Sequence, residues 1–367
     1  MIYIITLPNQ RQYNFGGVLQ NYALQKYLRD NGYQVTCLHC NTDSVKQFLR
    51  YSLLNLFMID ISVYKKKIKI NFAKKRDLLR NKIFTEFIYK NIAPYNVKWF
   101  DKDKFSRICS TADRVIVGSD QVWNPFWAVT SKTYDKFFLS FVPYEKRVSY
   151  AASFGVSQLP DSQKDLFKKG LNGIKYLSVR EEEGAEIVES VIGKRPEVVI
   201  DPTLLLERKQ WDAVLVKPQS IPKGKFMLVY FLGEVSNMVQ MKIQRIAKKY
   251  QLEILNINDV NEQYYLNGPG EFIYFISKAN LVYTDSFHAT VFSLLYNRPF
   301  IVEERDNKGI DNMNSRIMTL LNMVGLQERY QFRGVDEGVF SNDYQRAYEI
   351  LHSERENAHR FLKKALT

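Results

Sequence analysis

Residues Leu281 to Val302 constrain the fold of this chain more than any other stretch, because they read as strand, polar turn, helix and strand. Leu281 to Tyr283 is a short apolar run of the kind a buried parallel strand makes. Thr284, Asp285 and Ser286 supply N-cap chemistry where the helical spacing of Phe287, Val291, Leu294 and Leu295 begins. The pattern puts His288 in the first turn of a helix, at the carboxyl end of a strand. Unpaired backbone N–H groups and the positive end of the helix dipole make an anion the expected guest there. The plainer reading is that Asp285 and Ser286 only cap, with His288 a satisfied ring beneath a loop.

The same alternation runs through the rest of the chain. Met1 to Thr6 reads as a strand, Asn14-Phe-Gly-Gly17 as a turn, Val18 to Leu28 as a helix and Gln34 to Leu38 as a strand. Gly16-Gly17 lacks a full dinucleotide fingerprint, so no NAD site is expected. Asp113 to Trp123 is a strand running into a polar loop, where Gly118 permits close backbone approach. Asp120 and Gln121 are placed to orient hydroxyls, and Trp123 or Trp127 either offers an apolar face to a sugar ring or packs in the core. Arg147 to Ser153 is a further strand. Ile174 to Arg180 is another, with a helix beginning near Glu181. At that strand end Arg180 presents a planar fork to carboxylate or phosphate, or else pairs with Glu182 or Glu183 on the surface.

Leu206 to Lys225, with Pro218, Pro222 and Gly224, breaks the pattern and reads as a linker, after which strands and helices alternate again. Arg305, Lys308, Ser315 and Arg316 then gather ahead of a helix. Cations at that end disfavour the bare helix, so they suit a phosphate among them, unless they simply point to water. Alternation in both halves argues for an α/β chain with two Rossmann-like domains facing a cleft. Expected boundaries are 1–215 and 216–335, with 336–367 a terminal helix packing back on the first domain.

At 367 residues the chain is too long for one ordinary core. Its formal charge of +13 exceeds what solubility needs, so a phosphate, a nucleic acid or an anionic membrane surface is an expected partner. Much of the excess lies in 41–104, an apparent helical insertion with Lys65, Lys66, Lys67, Lys69, Lys74, Lys75, Arg76, Arg80 and Lys82 among apolar residues. That stretch reads as a solvated basic face or as a surface resting on anionic lipid. No nucleic-acid module accompanies its aromatics, so nucleic acid is not expected. Three cysteines make no disulfide framework, and Cys37-Leu-His-Cys40 lacks a second ligand pair, so a reducing cytoplasm and no metal are expected. The chain opens on a strand without signal-peptide features, and no run approaches the ~20 apolar residues a membrane span needs.

Four of these stretches in order carry a resemblance: Gly118-Ser-Asp-Gln-Val-Trp-Asn-Pro125, Ser178-Val-Arg-Glu-Glu-Glu-Gly184, Ile200-Asp-Pro-Thr-Leu204 and Thr284-Asp-Ser-Phe-His-Ala-Thr-Val-Phe-Ser293. Together with the Asn14-Phe-Gly-Gly17 opening they resemble the polysaccharide pyruvyl transferase family, from about Asn14 to about Arg329. The resemblance implies a glycosyltransferase-B-type fold. It also implies transfer of pyruvate from phosphoenolpyruvate to a sugar hydroxyl pair as a cyclic ketal, in bacterial surface polysaccharide synthesis. The acceptor implied is a sugar, in some members linked to a lipid diphosphate, and no cofactor is implied beyond the donor itself. On this reading His288 is the general acid or acid/base, because histidine titrates near neutral pH, and Asp120 positions or deprotonates the acceptor. Arg180, Ser286, Lys308 and Arg316 hold phosphoenolpyruvate, and Asn14, Gly17, Gln121, Trp123 and Ser153 line the acceptor side. The chain departs from the family at Ser286-Phe-His288, where many members carry Arg-Leu-His. Lys308, Arg316 or Arg180 must then take that arginine's part. The rival readings are a nucleotide-sugar glycosyltransferase and a non-catalytic polysaccharide- or membrane-binding protein.

Overall fold

The computed structural model describes residues 1–7, 14–41, 64–98, 102–126, 135–305, 315–333 and 336–367. Its first half holds strands β1 (Ile2–Ile5), β2 (Val35–Asn41), β3 (Tyr95–Lys98), β4 (Arg114–Val117) and β5 (Arg147–Ser149) in one sheet ordered β3-β2-β1-β4-β5. Every pairing in it is parallel. A two-stranded piece, β6 (Ser178–Val179) with β7 (Glu197–Val198), is joined to β5 and the loop after it by bridges from Val148 to Tyr176 and from Ala152 to Val179. The second half holds β8 (Phe226–Tyr230), β9 (Glu253–Asn256), β10 (Leu281–Thr284) and β11 (Phe300–Val302), ordered β11-β10-β8-β9 and again parallel. β8 and β10 are buried at every residue, which is why they read as unbroken apolar runs rather than alternating ones. The fold class is the expected one, α/β with two Rossmann-like halves.

The halves share a core. Phe15, at the start of the helix Phe15–Asp30, stacks on Phe272 of the second half with centroids 4.4 Å apart, and Trp211 meets Phe292 edge-on at 4.8 Å. The stretch Leu206–Lys225 is therefore not a free linker at its start, because the short helix Arg208–Asp212 plants Trp211 in that shared core. The terminal helix Gln345–Leu366 spans both halves. Tyr348 donates to the Leu294 carbonyl, while Arg355 Nε and Arg114 Nε donate to the carbonyls of Leu204 and Ala365.

The stretch 41–104 differs from its expectation. It carries a helix, Tyr64–Phe87, but also contributes β3, which extends the first sheet at its edge. Among the described side chains of that strand Val97 is buried while Tyr95 and Asn96 are exposed, so four residues of weak alternation gave no strand signal among so many charges. The helix is not simply a solvated basic face either. Arg80 is buried over the rings of Tyr265 and Phe15, and Arg76 donates to the Glu262 carbonyl, so the insertion grips the second half. Tyr51 and the apolar residues near it lie outside the described residues. Among the described residues, no helix is long and apolar enough to cross a membrane.

Candidate functional site

In parallel α/β sheets ligands gather at the carboxyl ends of strands where the strand order reverses. The first sheet reverses between β1 and β4, which end at Thr6 and at Gly118–Asp120. The second reverses between β8 and β10, which end at Phe231–Gly233 and at Asp285–His288. The two crevices face each other so closely that a Cβ built on Gly16 would lie 1.9 Å from His288 Nδ1. Gly16 stands in the first turn of the helix Phe15–Asp30 and His288 in the first turn of the helix Phe287–Leu295, so two helix amino termini converge.

The turn before His288 is held by hydrogen bonds. Ser286 caps its helix by accepting from the Ala289 amide at 3.4 Å, and its own amide donates to Thr284 Oγ1. Asp285 accepts from the amides of Leu232 and Gly233 at 2.8 Å each and from Arg305 Nε at 3.0 Å. Ser286 thus caps the helix through its oxygen, which leaves its O–H as a donor. Arg305 is committed to Asp285, so the expected cluster of cations ahead of the helix Ser315–Val324 divides. Arg316 turns inward instead, buried, with Nη1 3.9 Å from Asp120 Oδ1. Lys308 and Trp127 lie outside the described residues.

Arg180 meets Arg316 at the same carboxylate from the other half. Its Nη2 is 3.8 Å from Asp120 Oδ1, beyond hydrogen-bond reach, while its Nη1 donates to Asp201 Oδ2 at 2.5 Å and its guanidinium lies over the Phe287 ring. Arg180 Nε and Nη2 are buried and have no hydrogen-bond partner. The alternative surface pair with Glu182 or Glu183 does not form, since Glu182 pairs with Arg195. Asp120 holds a left-handed backbone angle, φ +70°, pinned by Ser153, whose amide donates to the Asp120 carbonyl at 3.0 Å.

Two residues absent from the sequence-based site complete the cluster. Asp201 accepts from the Thr203 amide and hydroxyl on Oδ1 and from Arg180 on Oδ2, where the Ser119 hydroxyl, 3.3 Å away, shares its one proton with the nearer Ala151 carbonyl. Its Oδ1 lies 3.8 Å from His288 Nε2, an atom that is buried without a hydrogen-bond partner. Glu181 is buried beneath Arg180 and accepts from the Phe154 amide. Asp-Pro-Thr is a capped helix start with proline at its first position, the signal that could have marked Asp201. Glu181 leaves no such mark.

Charge states follow from burial. Burial, helped by Arg180, pulls the His288 imidazole down to about 4, against the opposing pull of Asp201. This corrects the expectation of a ring titrating near neutrality, since the ring is uncharged at neutral pH. Burial and the nearby Arg180 bring the Arg316 guanidinium down to about 9. Burial would raise the Asp201 carboxyl, but Arg180 and His288 outweigh it and keep it below the ordinary value. Two guanidiniums with little room between them are stabilised by any anion that enters.

Of the residues assigned to the acceptor, several do structural work. Trp123 is fully buried, stacked against Phe138 and Phe154 with its indole N–H donated to the Phe137 carbonyl, so it offers no face to a sugar. Such a large apolar ring beside a strand end packs inward because water is its costlier neighbour. Asn14 is the N-cap of the helix Phe15–Asp30, accepting from the Gly17 amide at 3.1 Å, and both glycines are helical rather than in an open turn. Gln121 is buried, with its amide wedged against Gly155. Ser153 is buried behind Asp120, its Oγ without a hydrogen-bond partner.

A cavity of about 40 Å³ lies beside the cluster, walled by Arg180, Asp201, Phe287, Arg316 and Leu320 and reaching Glu354 of the terminal helix. It is large enough for water but not for a sugar.

Two measurements check this geometry. Gly16→Ala is favourable for a helix by up to about 1 kcal/mol, but here the methyl collides with the imidazole. The expected outcome is a protein of nearly unchanged melting temperature whose turnover falls about tenfold or more, read by activity assay beside calorimetry. The second concerns acid. The His288 ring takes its proton near 6.5 when unfolded and near 4 when folded. Stability is therefore full above pH 6.5 and falls by about 3 kcal/mol as pH drops from 6.5 to 4. Urea titrations at both pH values should show His288→Gln losing correspondingly less over that window.

The class these features define is an α/β protein of two Rossmann-like halves with buried arginines, carboxylates and a histidine between facing crevices. The polysaccharide pyruvyl transferase family matches residues 14–307, and the chain belongs to that family, a family of transferases. No curated protein matches it. Among solved structures it is similar to the UDP-GlcNAc 2-epimerase of Neisseria meningitidis bound to UDP-GlcNAc, at 13% identity over 99% of this chain and 100% of that one, TM-score 0.43. It is also similar to the ADP-heptose lipopolysaccharide heptosyltransferase II of E. coli, at 10% identity over 98% and 99%, TM-score 0.36. Superposition at that level is loose, and the fold rests on the chain's own topology.

Proposed function

We propose that this chain moves pyruvate from phosphoenolpyruvate onto a hydroxyl pair of a sugar as a cyclic ketal, in the assembly of a bacterial surface polysaccharide. The observation that carries the reading is the meeting of Arg180 and Arg316, one from each half, at 3.8 and 3.9 Å from one oxygen of Asp120, beside an unpartnered His288 Nε2. Asp201 accepts from Arg180 and Thr203, and Glu181 accepts the Phe154 amide on one oxygen while its Oε2 is buried without a partner. Asp120 lies beside both guanidiniums and is the carboxylate we assign to the hydroxyl, so the site suits an anion and an alcohol together.

Phosphoenolpyruvate brings a carboxylate and a phosphate between the two guanidiniums. Its negative charge raises the proton affinity of the neighbouring imidazole, so that His288 becomes the acid only once the donor is bound. His288 then protonates the methylene carbon, which becomes the methyl group, leaving a cationic C2. The first hydroxyl adds to C2 and its proton returns to His288, with Asp120 orienting the alcohol. The C2–O bond to phosphate breaks, and the second hydroxyl closes the ring, its proton leaving with phosphate. Arg180 and Arg316 stabilise the departing phosphate.

The acceptor enters from the first half, and the donor is bracketed by both. Lys74, Lys75 and Lys82, exposed beside Leu78 and Leu79, form the face on which a peripheral contact with anionic lipid carrying the acceptor falls. Calorimetric titration separates this reading from a nucleotide-sugar glycosyltransferase. Phosphoenolpyruvate binds at millimolar affinity or better while UDP- and ADP-sugars do not; the reverse order overturns the assignment.

A further inference from the structure

We propose that Asp201 is a positioning residue that holds Arg180 on one oxygen and stabilises the charged form of His288 from the other, so that donor binding and proton delivery are set by one fixed carboxylate. The inference rests on the proposed reaction for its catalytic meaning, though not for its electrostatics. Asp201 is 1% exposed and accepts three hydrogen bonds, two from Thr203 and one from Arg180, with the Ser119 hydroxyl 3.3 Å away. Against the effect of burial, Arg180 and the Thr203 hydrogen bonds hold the carboxyl below its ordinary value, so it stays a negative charge at neutral pH. That charge lies 3.8 Å from His288 Nε2, too far for a hydrogen bond and close enough for strong Coulombic attraction at a buried site.

The other charges facing His288 are Arg180 and Arg316, which oppose its protonation, and Asp120, which favours it. Asp120 lies near both guanidiniums and shares its field with them, whereas Asp201 leads the favourable side. When Nε2 gains a proton it points at a carboxylate already held rigid by Thr203 at the start of the helix Pro202–Leu205. No reorganisation is then needed at the moment of transfer. The same carboxylate aims the Arg180 fork, leaving Nε and Nη2 for the donor.

The test is Asp201→Asn, isosteric and neutral, followed by histidine ring NMR with inorganic phosphate present. The His288 signal is assigned among the chain's four histidines by its loss in His288→Gln. The midpoint for His288 is expected to fall by about one to three pH units relative to the native protein. The acidic limb of the kcat profile moves with it, and the donor KM rises as Arg180 loses its anchor. An unmoved midpoint overturns the proposal. Should Asp201→Asn fail to fold because its amide faces Arg180, the same difference is read between Arg180→Gln and Arg180→Gln/Asp201→Asn. A midpoint shift in a protein that never consumes phosphoenolpyruvate supports the electrostatic coupling and refutes the reaction. Consumption of phosphoenolpyruvate without a midpoint shift does the opposite.

Discussion

Replacing His288 with alanine lowers kcat for pyruvyl transfer by about a hundred- to ten-thousandfold while donor binding persists, the range expected when a positioned acid is removed. The separation between turnover and binding is what gives the prediction its force. On the proposed reading the donor's anionic groups meet Arg180 and Arg316, which lie together at Asp120 and which the substitution does not touch, while His288 contributes through the proton it supplies. The variant also folds. The ring is uncharged at neutral pH and its Nε2 unpartnered in the native protein, so its loss breaks no hydrogen bond at that atom. The cost is a small cavity at the start of a wholly buried helix, about 1–3 kcal/mol. Rapid-mixing turnover and calorimetric donor binding on one preparation check both halves.

The second large effect belongs to Arg180. Arg180→Ala leaves Asp201 buried without its ion-pair partner, and removing one member of such a pair costs about 3–5 kcal/mol of stability. Denaturant midpoints measure this directly. Arg180→Lys keeps the charge and loses the fork, because a single ammonium cannot hold Asp201 and a donor oxygen in two parallel directions at once. Its expected signature is modest destabilisation with a donor KM raised about tenfold or more. Equal behaviour of lysine and arginine there would mean that only the charge matters.

Much of this was legible in the sequence where local chemistry decided the outcome. The apolar run of β10, the capping residues before Phe287 and the placement of His288 in a first helical turn all follow from spacing and N-cap preference, and the structure shows them. Arg180 and Arg316 were marked by lying at a strand end and a helix start. What failed depended on contacts between distant segments. Trp123 faces the core because Phe138 and Phe154 lie behind it, and Asn14 spends its side-chain oxygen on a cap. Asp201 enters the site only because the two-residue strands β6 and β7 pair and bring Arg180 beside it. The neutrality of His288 comes from burial by Gly16 of the opposite half, which no periodicity encodes. β3 was hidden by the charges around it.

The central claim is that donor and acceptor react at His288 between the two halves. Its most direct test is mass spectrometry of a surface polysaccharide or its lipid-linked precursor, incubated with isotope-labelled phosphoenolpyruvate and either the native protein or His288→Ala. The account predicts a labelled pyruvate ketal and released phosphate with the native protein and neither with the variant. Equal labelling by both proteins contradicts it.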